Sequence, residues 1–118
     1  MVKDKAFEYI KTILGFLPSG FIFDNRNIDK AFLAAKESKP SGIVLLELEF
    51  KLTPKVYSNM LHESIDVLCQ EGLIEKIGTQ YKIKNNLKME AIKSLINLGR
   101  AHAYVSDTAE IIKNNLSV

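Results

Sequence analysis

The run His62-Glu63-Ser64-Ile65-Asp66 comes nearest to chemistry in this chain. His62 and Asp66 stand four apart, so on a helix they share a face and can reach one metal ion. The run is similar to the zinc-protease pattern H-E-x-x-H, with aspartate in place of the second histidine. A hydrolytic metal site needs a third ligand, and the only other histidine, His102, falls in a distant helical segment. The simpler reading is a His–Asp pair along the surface of one helix. Cys69, the single cysteine, would be a nucleophile only beside a base that lowers its pKa. Its place next to an apolar stripe suits a buried, inert thiol instead. Gly15, Gly20 and Gly42 are isolated breaks, and no Gly-rich phosphate loop is present. The expectation is therefore a binding module with no catalytic residues, metal or cofactor.

The 118 residues fit one domain, 1–118, with one core. A hydrophobic share of 47% with 25% charged residues is ordinary for a globular chain and excludes a disordered one. No stretch approaches the ~18 uninterrupted apolar residues of a membrane span. The first residues are mixed in charge and lack the apolar centre of a secretion signal. With one cysteine and no internal disulfide, a reducing cytoplasm is the expected location.

Net charge is only +2, but it is unevenly placed. Over 43–75, Lys51 and Lys55 stand against six carboxylates, a net of −4; over 76–100, six basic residues stand against Glu90, a net of +5. Such asymmetry marks either solvated faces or a partner surface.

Helical spacing places a first helix over 2–17, with Ala6, Phe7, Ile10, Ile13, Leu14 and Leu17 inward. Pro18-Ser19-Gly20 stops it, and Phe21-Ile22-Phe23 reads as a link. Asp24 and Asn25 can cap a second helix over 26–38. Residues 43–52 fit a strand or a short helix, since Leu46, Leu48, Phe50 and Leu52 alternate with charged residues while Ile43-Val44-Leu45-Leu46 is continuously apolar. Thr53 and Pro54 suit the start of a helix over 54–71. Tyr57, Leu61, Ile65 and Leu68 form its buried stripe, and Gly72 ends it. Gly78-Thr79 reads as a type II′ turn joining strands 73–77 and 80–84. That turn pairs Ile77 with Gln80, Glu75 with Lys82 and Ile74 with Ile83, which puts Ile74, Tyr81 and Ile83 toward the core and Lys82 and Lys84 outward. A helix over 87–104, with Met89, Ile92, Leu95, Ile96, Gly99 and Ala103 on one side, and a last helix over 108–116 complete the chain.

A capped helix, the run Glu71-Gly72-Leu73-Ile74-Glu75, a glycine turn and Tyr81-Lys82-Ile83 together resemble a winged helix-turn-helix domain over Thr53 to Lys84. The fold class expected is mainly α with a small antiparallel β-hairpin, winged-helix-like over 24–84, with flanking helices at 1–17 and 87–118. The resemblance implies that the 54–71 helix enters a major groove and that the hairpin touches phosphate or minor groove. Carried over, Lys55, Ser58, Asn59 and His62 would face the groove. Lys82 and Lys84, with Lys76 and Gln80 beside them, would be wing contacts.

The departures from a strong binder are a single basic residue on that helix, the carboxylates Glu63, Asp66 and Glu71, and a Glu75 able to neutralise part of Lys82. The resemblance implies a small transcriptional regulator that binds double-stranded DNA. The terminal helices, which a winged core does not need, suggest a homodimer. The alternative is a winged domain that binds protein through the acidic 43–75 surface.

Overall fold

A computed structural model describes residues 5–38, 45, 48–95 and 103–116. Helix α1 (Lys5–Gly15) follows the expected spacing, with Phe7, Ile10, Ile13 and Leu14 buried on one face. It closes on tighter bonds, the Phe16 and Leu17 N–H groups donating to the Ile13 and Leu14 carbonyls (both 3.1 Å), and Pro18 cannot extend it. Gly20 then takes φ +82° and turns the chain into β1 (Ile22–Asp24). The expected link at 21–23 is thus mostly a strand. Three residues are too few to show a period, and it is the pairing with β3 that makes them a strand. Phe23 lies opposite Tyr81 in that pairing, with ring centroids 5.4 Å apart.

Helix α2 (Ile28–Glu37) starts later than expected, after Asn27, which makes no side-chain cap bond. Asp24 does not cap the helix. Its carboxylate folds back as an Asx-turn, accepting the Arg26 N–H at 2.8 Å. Residues 43, 44, 46 and 47 of the ambiguous 43–52 segment lie outside the described residues. Within it, Leu45 and Leu48 are buried, and Lys51 pairs with Tyr57 in one antiparallel bridge. Each N–H donates to the other's carbonyl, at 2.7 and 2.9 Å.

This bridge corrects the start of the next helix. It holds Tyr57 extended, so a helix cannot begin at Thr53-Pro54, whose peptide bond is cis. Helix α3 (Asn59–Gln70) begins after Ser58, whose Oγ accepts the Leu61 N–H at 3.3 Å. Leu61, Ile65 and Leu68 are buried as their spacing predicts. Gly72, at φ +76°, closes α3: its N–H donates to the Cys69 carbonyl and the Leu73 N–H to Leu68, a Schellman pair.

Strands β2 (Ile74–Ile77) and β3 (Gln80–Ile83) pair in the expected register, with Ile77 opposite Gln80, Glu75 opposite Lys82 and Ile74 opposite Ile83. Gly78 has φ +63° and no non-glycine residue among those described has positive φ, which fits the type II′ turn. The sheet order is β1-β3-β2, all antiparallel. Helix, strand, two helices and a hairpin in this order make a mainly helical fold with a small antiparallel sheet.

Helix α4 (Asn85–Leu95) turns a different face inward from the one its apolar residues suggest. Leu87, Ala91 and Ser94 are buried, whereas Met89 and Ile92 are 63% and 52% exposed. The reason is α1: Gly15 abuts Ala91, and only a face of small residues permits so close a crossing. Residues 96–102, and with them the second half of the expected 87–104 helix, lie outside the described residues. Helix α5 (Val105–Leu116) begins earlier than expected and buries Val105, Thr108, Ala109 and Ile112.

The terminal helices flank the 24–84 segment in sequence but share its core. α1 packs on α3, α4 and α5, and α5 packs on α2. The α1 stripe that suggested a dimer is therefore buried within the chain, and Met89 and Ile92 are the part of the α4 stripe left at the surface.

Candidate functional site

The hairpin carries the exposed cations. Alternation along β3 puts Lys82 on the outer face, and Lys84 follows two residues on. Both line a recess of about 320 Å³ with Ser19, Glu75 and Asn85. Lys76, opposite Tyr81, lies on the other face of the ribbon, and Gln80 is exposed beside the turn. Glu75 stands across from Lys82, yet among the described residues no ion pair involves Lys76, Lys82 or Lys84. The expected neutralisation of Lys82 by a direct Glu75 contact is therefore absent.

Helix α3 contributes less than expected. Of its four candidate contacts, Asn59 alone sits on the helix with an exposed side chain. Lys55 is exposed but lies in the turn ahead of the helix. Ser58 is 1% exposed, because its hydroxyl caps α3 and its N–H donates to Asp29 Oδ1 at 2.9 Å. His62 is half-buried, with Nε2 2.8 Å from Asp29 Oδ2 and its ring stacked on Tyr57 at 4.6 Å. The expected His62–Asp66 pair does not form; the partner is 33 residues away, on α2. Among the described residues no group of three or more His, Cys, Asp or Glu side chains could hold a metal ion. The solvent stripe of α3 reads Asn59, Glu63, Asp66 and Gln70, with carboxylates at its middle. Asp66 adds to the effect of burial in raising the Cys69 thiol and the Tyr81 phenol above their ordinary values.

No family model, curated protein or solved structure matches the chain. The site is thus read from its own geometry.

That geometry includes a cleft that the sequence reading missed. About 490 Å³ in volume, it lies between the start of α2 and the loop leading into α3. His62 and the 3%-exposed Asp29 line it, with Tyr57, and Arg26, Lys30 and Lys55 stand around it. Arg26 holds Asp24 through Nε to Oδ1 (3.0 Å) and Nη2 to Oδ2 (2.9 Å), which keeps the Asp24 carboxyl below its usual range. Nothing local in the sequence marks Asp29: an acid in the first turn of a helix already has a reason to be there.

Tyr57 also lines a second recess of about 500 Å³ with Phe50 and Met60. Its Lys36 already donates to the Leu48 carbonyl and lies over the Phe50 ring, so that cation is engaged.

Cys69 yields one expectation. Burial, then Asp66, push its thiol up, and Lys76 only partly opposes them. The thiolate is the reactive form. Iodoacetamide should therefore modify Cys69 more slowly than it modifies a free thiol such as glutathione at pH 8. Mass spectrometry over time checks this, and equal rates would contradict the half-buried placement.

Proposed function

We propose that the chain is a winged-helix module that binds duplex DNA chiefly through its hairpin, in the role of a small transcriptional regulator. The observation that carries this reading is the placement of Lys76, Lys82 and Lys84, all exposed and free of ion pairs among the described residues. Lysines without counter-ions on an exposed hairpin suit phosphate neutralisation. Asn59, at the first position of α3, is placed to hydrogen-bond a base edge. Glu63 and Asp66, further along α3, would be repelled by phosphates, so the wing leads the approach and the middle of α3 stays back. A cytoplasmic location goes with this reading, because an unpaired cysteine suits a reducing compartment. Among the described residues no helix is long and apolar enough to cross a membrane.

The test is fluorescence anisotropy on mixed-sequence duplexes at rising salt. The pair Lys82→Glu and Lys84→Glu should weaken every duplex about tenfold or more and flatten the salt slope by about one for each phosphate no longer neutralised. Asn59→Ala should shift sequence preference with little change in that slope. Unchanged duplex binding in the double charge reversal would sink the wing assignment.

A second reading, a protein-binding winged domain, is favoured by the acidic stripe of α3. It expects no salt-sensitive duplex binding at all, and a partner with a basic face in place of DNA.

A further inference from the structure

The cleft between α2 and the Tyr57 loop lies beside the wing turn, since Asn25, which lines it, donates its N–H to the Thr79 carbonyl at 3.0 Å, and cations predominate around it. Arg26 and Lys30 reach it from the start of α2, and Lys55 from the loop ahead of α3. Among the described residues Lys30 and Lys55 have no ion-pair partner. The carboxylate lining the cleft, Asp29, has both oxygens engaged, one by the Ser58 N–H and one by His62 Nε2. It is 3% exposed and cannot serve the lysines as a counter-ion at the surface. His62 uses only Nε2 within the protein; its Nδ1 has no protein partner among the described residues. Arg26 is held by Asp24, which leaves Lys30 and Lys55 as the cations on the cleft without a surface counter-ion; an anion bound between them lowers their mutual repulsion.

We propose that this cleft binds a small phosphorylated ligand, its phosphate held by Lys30 and Lys55 with Arg26 beside them, next to the His62 imidazole. Several cationic donors on one cavity suit a dianion with three acceptor oxygens better than a carboxylate with two. The volume of about 490 Å³ is within the range of small-molecule sites, and it exceeds what a lone phosphate fills. The remainder suits a group of about the size of a sugar, lying against Val56 and Tyr57. The inference does not rest on the DNA reading: it stands if the chain never meets a duplex. A phosphate could also arrive on a nucleic-acid backbone, and the test separates the two sources.

The experiment titrates the ¹⁵N-labelled 118-residue chain with ribose 5-phosphate, with ribose as the neutral control and an unmodified duplex in parallel. Saturable shifts should centre on Arg26, Lys30, Lys55 and His62 with ribose 5-phosphate and be absent with ribose. Lys30→Glu with Lys55→Glu should weaken that binding about tenfold or more. Lys88→Glu, an exposed lysine on α4, should bind as the parent does. Lys30 and Lys55 are exposed, so the double variant should melt close to the parent, which separates a binding defect from a folding defect. Shifts spread evenly over all exposed lysines, or unchanged affinity in the double variant, would overturn the proposal. It would also fall if the duplex moved these resonances and ribose 5-phosphate did not, since the cleft would then be part of a nucleic-acid surface.

Discussion

Asp29→Ala should destabilise the fold by about 2–4 kcal/mol, read as a lower urea midpoint with an unchanged slope. The carboxylate belongs to the first turn of α2, but its work is at the start of α3. Oδ1 accepts the Ser58 N–H at 2.9 Å, and Oδ2 lies 2.8 Å from His62 Nε2. Ser58 is itself the cap of α3. Removing the carboxylate leaves a buried N–H without an acceptor, at a cost of about 1–3 kcal/mol, and leaves the half-buried imidazole without its partner. Asp29→Asn should cost less, because an amide oxygen still accepts from Ser58. His62→Gln should also cost less than Asp29→Ala, because the Ser58 bond survives. A double-mutant cycle between positions 29 and 62 should show coupling, whereas one between 62 and 66 should show almost none. The reverse ranking would mean that His62 pairs along its own helix after all.

This cycle also marks where the sequence stops being informative. The hairpin was legible because its information is local. Gly78-Thr79 fixes a two-residue turn, the turn fixes the register, and alternation then decides that Tyr81 and Ile83 face inward while Lys82 faces out. The buried stripe of α3 and its glycine stop were legible for the same reason.

What failed depended on partners far along the chain. Thr53 and Ser58 are equally good caps by type, and the bridge between Lys51 and Tyr57 selects Ser58. His62 has an acid four residues away on its own helix and another 33 away, and only the packing of α2 against the start of α3 chooses between them. Of four groove contacts read from the resemblance, Ser58 and His62 are therefore structural, Lys55 lines the cleft, and Asn59 remains. The cleft was invisible because Arg26, Lys30 and Lys55 form no motif; they meet only once α2 and the Tyr57 loop are folded together.

The α4 face is a further case of distant choice, and Gly15→Ala tests it. In most helices this exchange is favourable by up to about 1 kcal/mol. Here it should lower stability by about 1–3 kcal/mol, a drop in Tm of roughly 4–12 °C. Gly15 has no positive φ that would demand glycine. Its requirement is space: a Cβ built there falls within 3.0 Å of the Ala91 Cβ and 3.1 Å from the Leu87 carbonyl oxygen. Neither neighbour is the far end of a flexible side chain, so α1 and α4 must move apart. They cannot do so freely, because Ile10, Ile13 and Leu14 of α1 and Leu87 of α4 belong to one buried cluster. Ala91→Gly alone should cost about 1 kcal/mol as a helix-interior glycine. Combined with Gly15→Ala it removes the clash, so the double variant should be more stable than the sum of the single costs predicts. The carbonyl of Leu87 remains, and the rescue should be incomplete. A Gly15→Ala protein that melts above the parent would show that α4 does not meet α1 at Ala91. The helix would then be free to turn Met89 and Ile92 inward, as its apolar spacing first suggested.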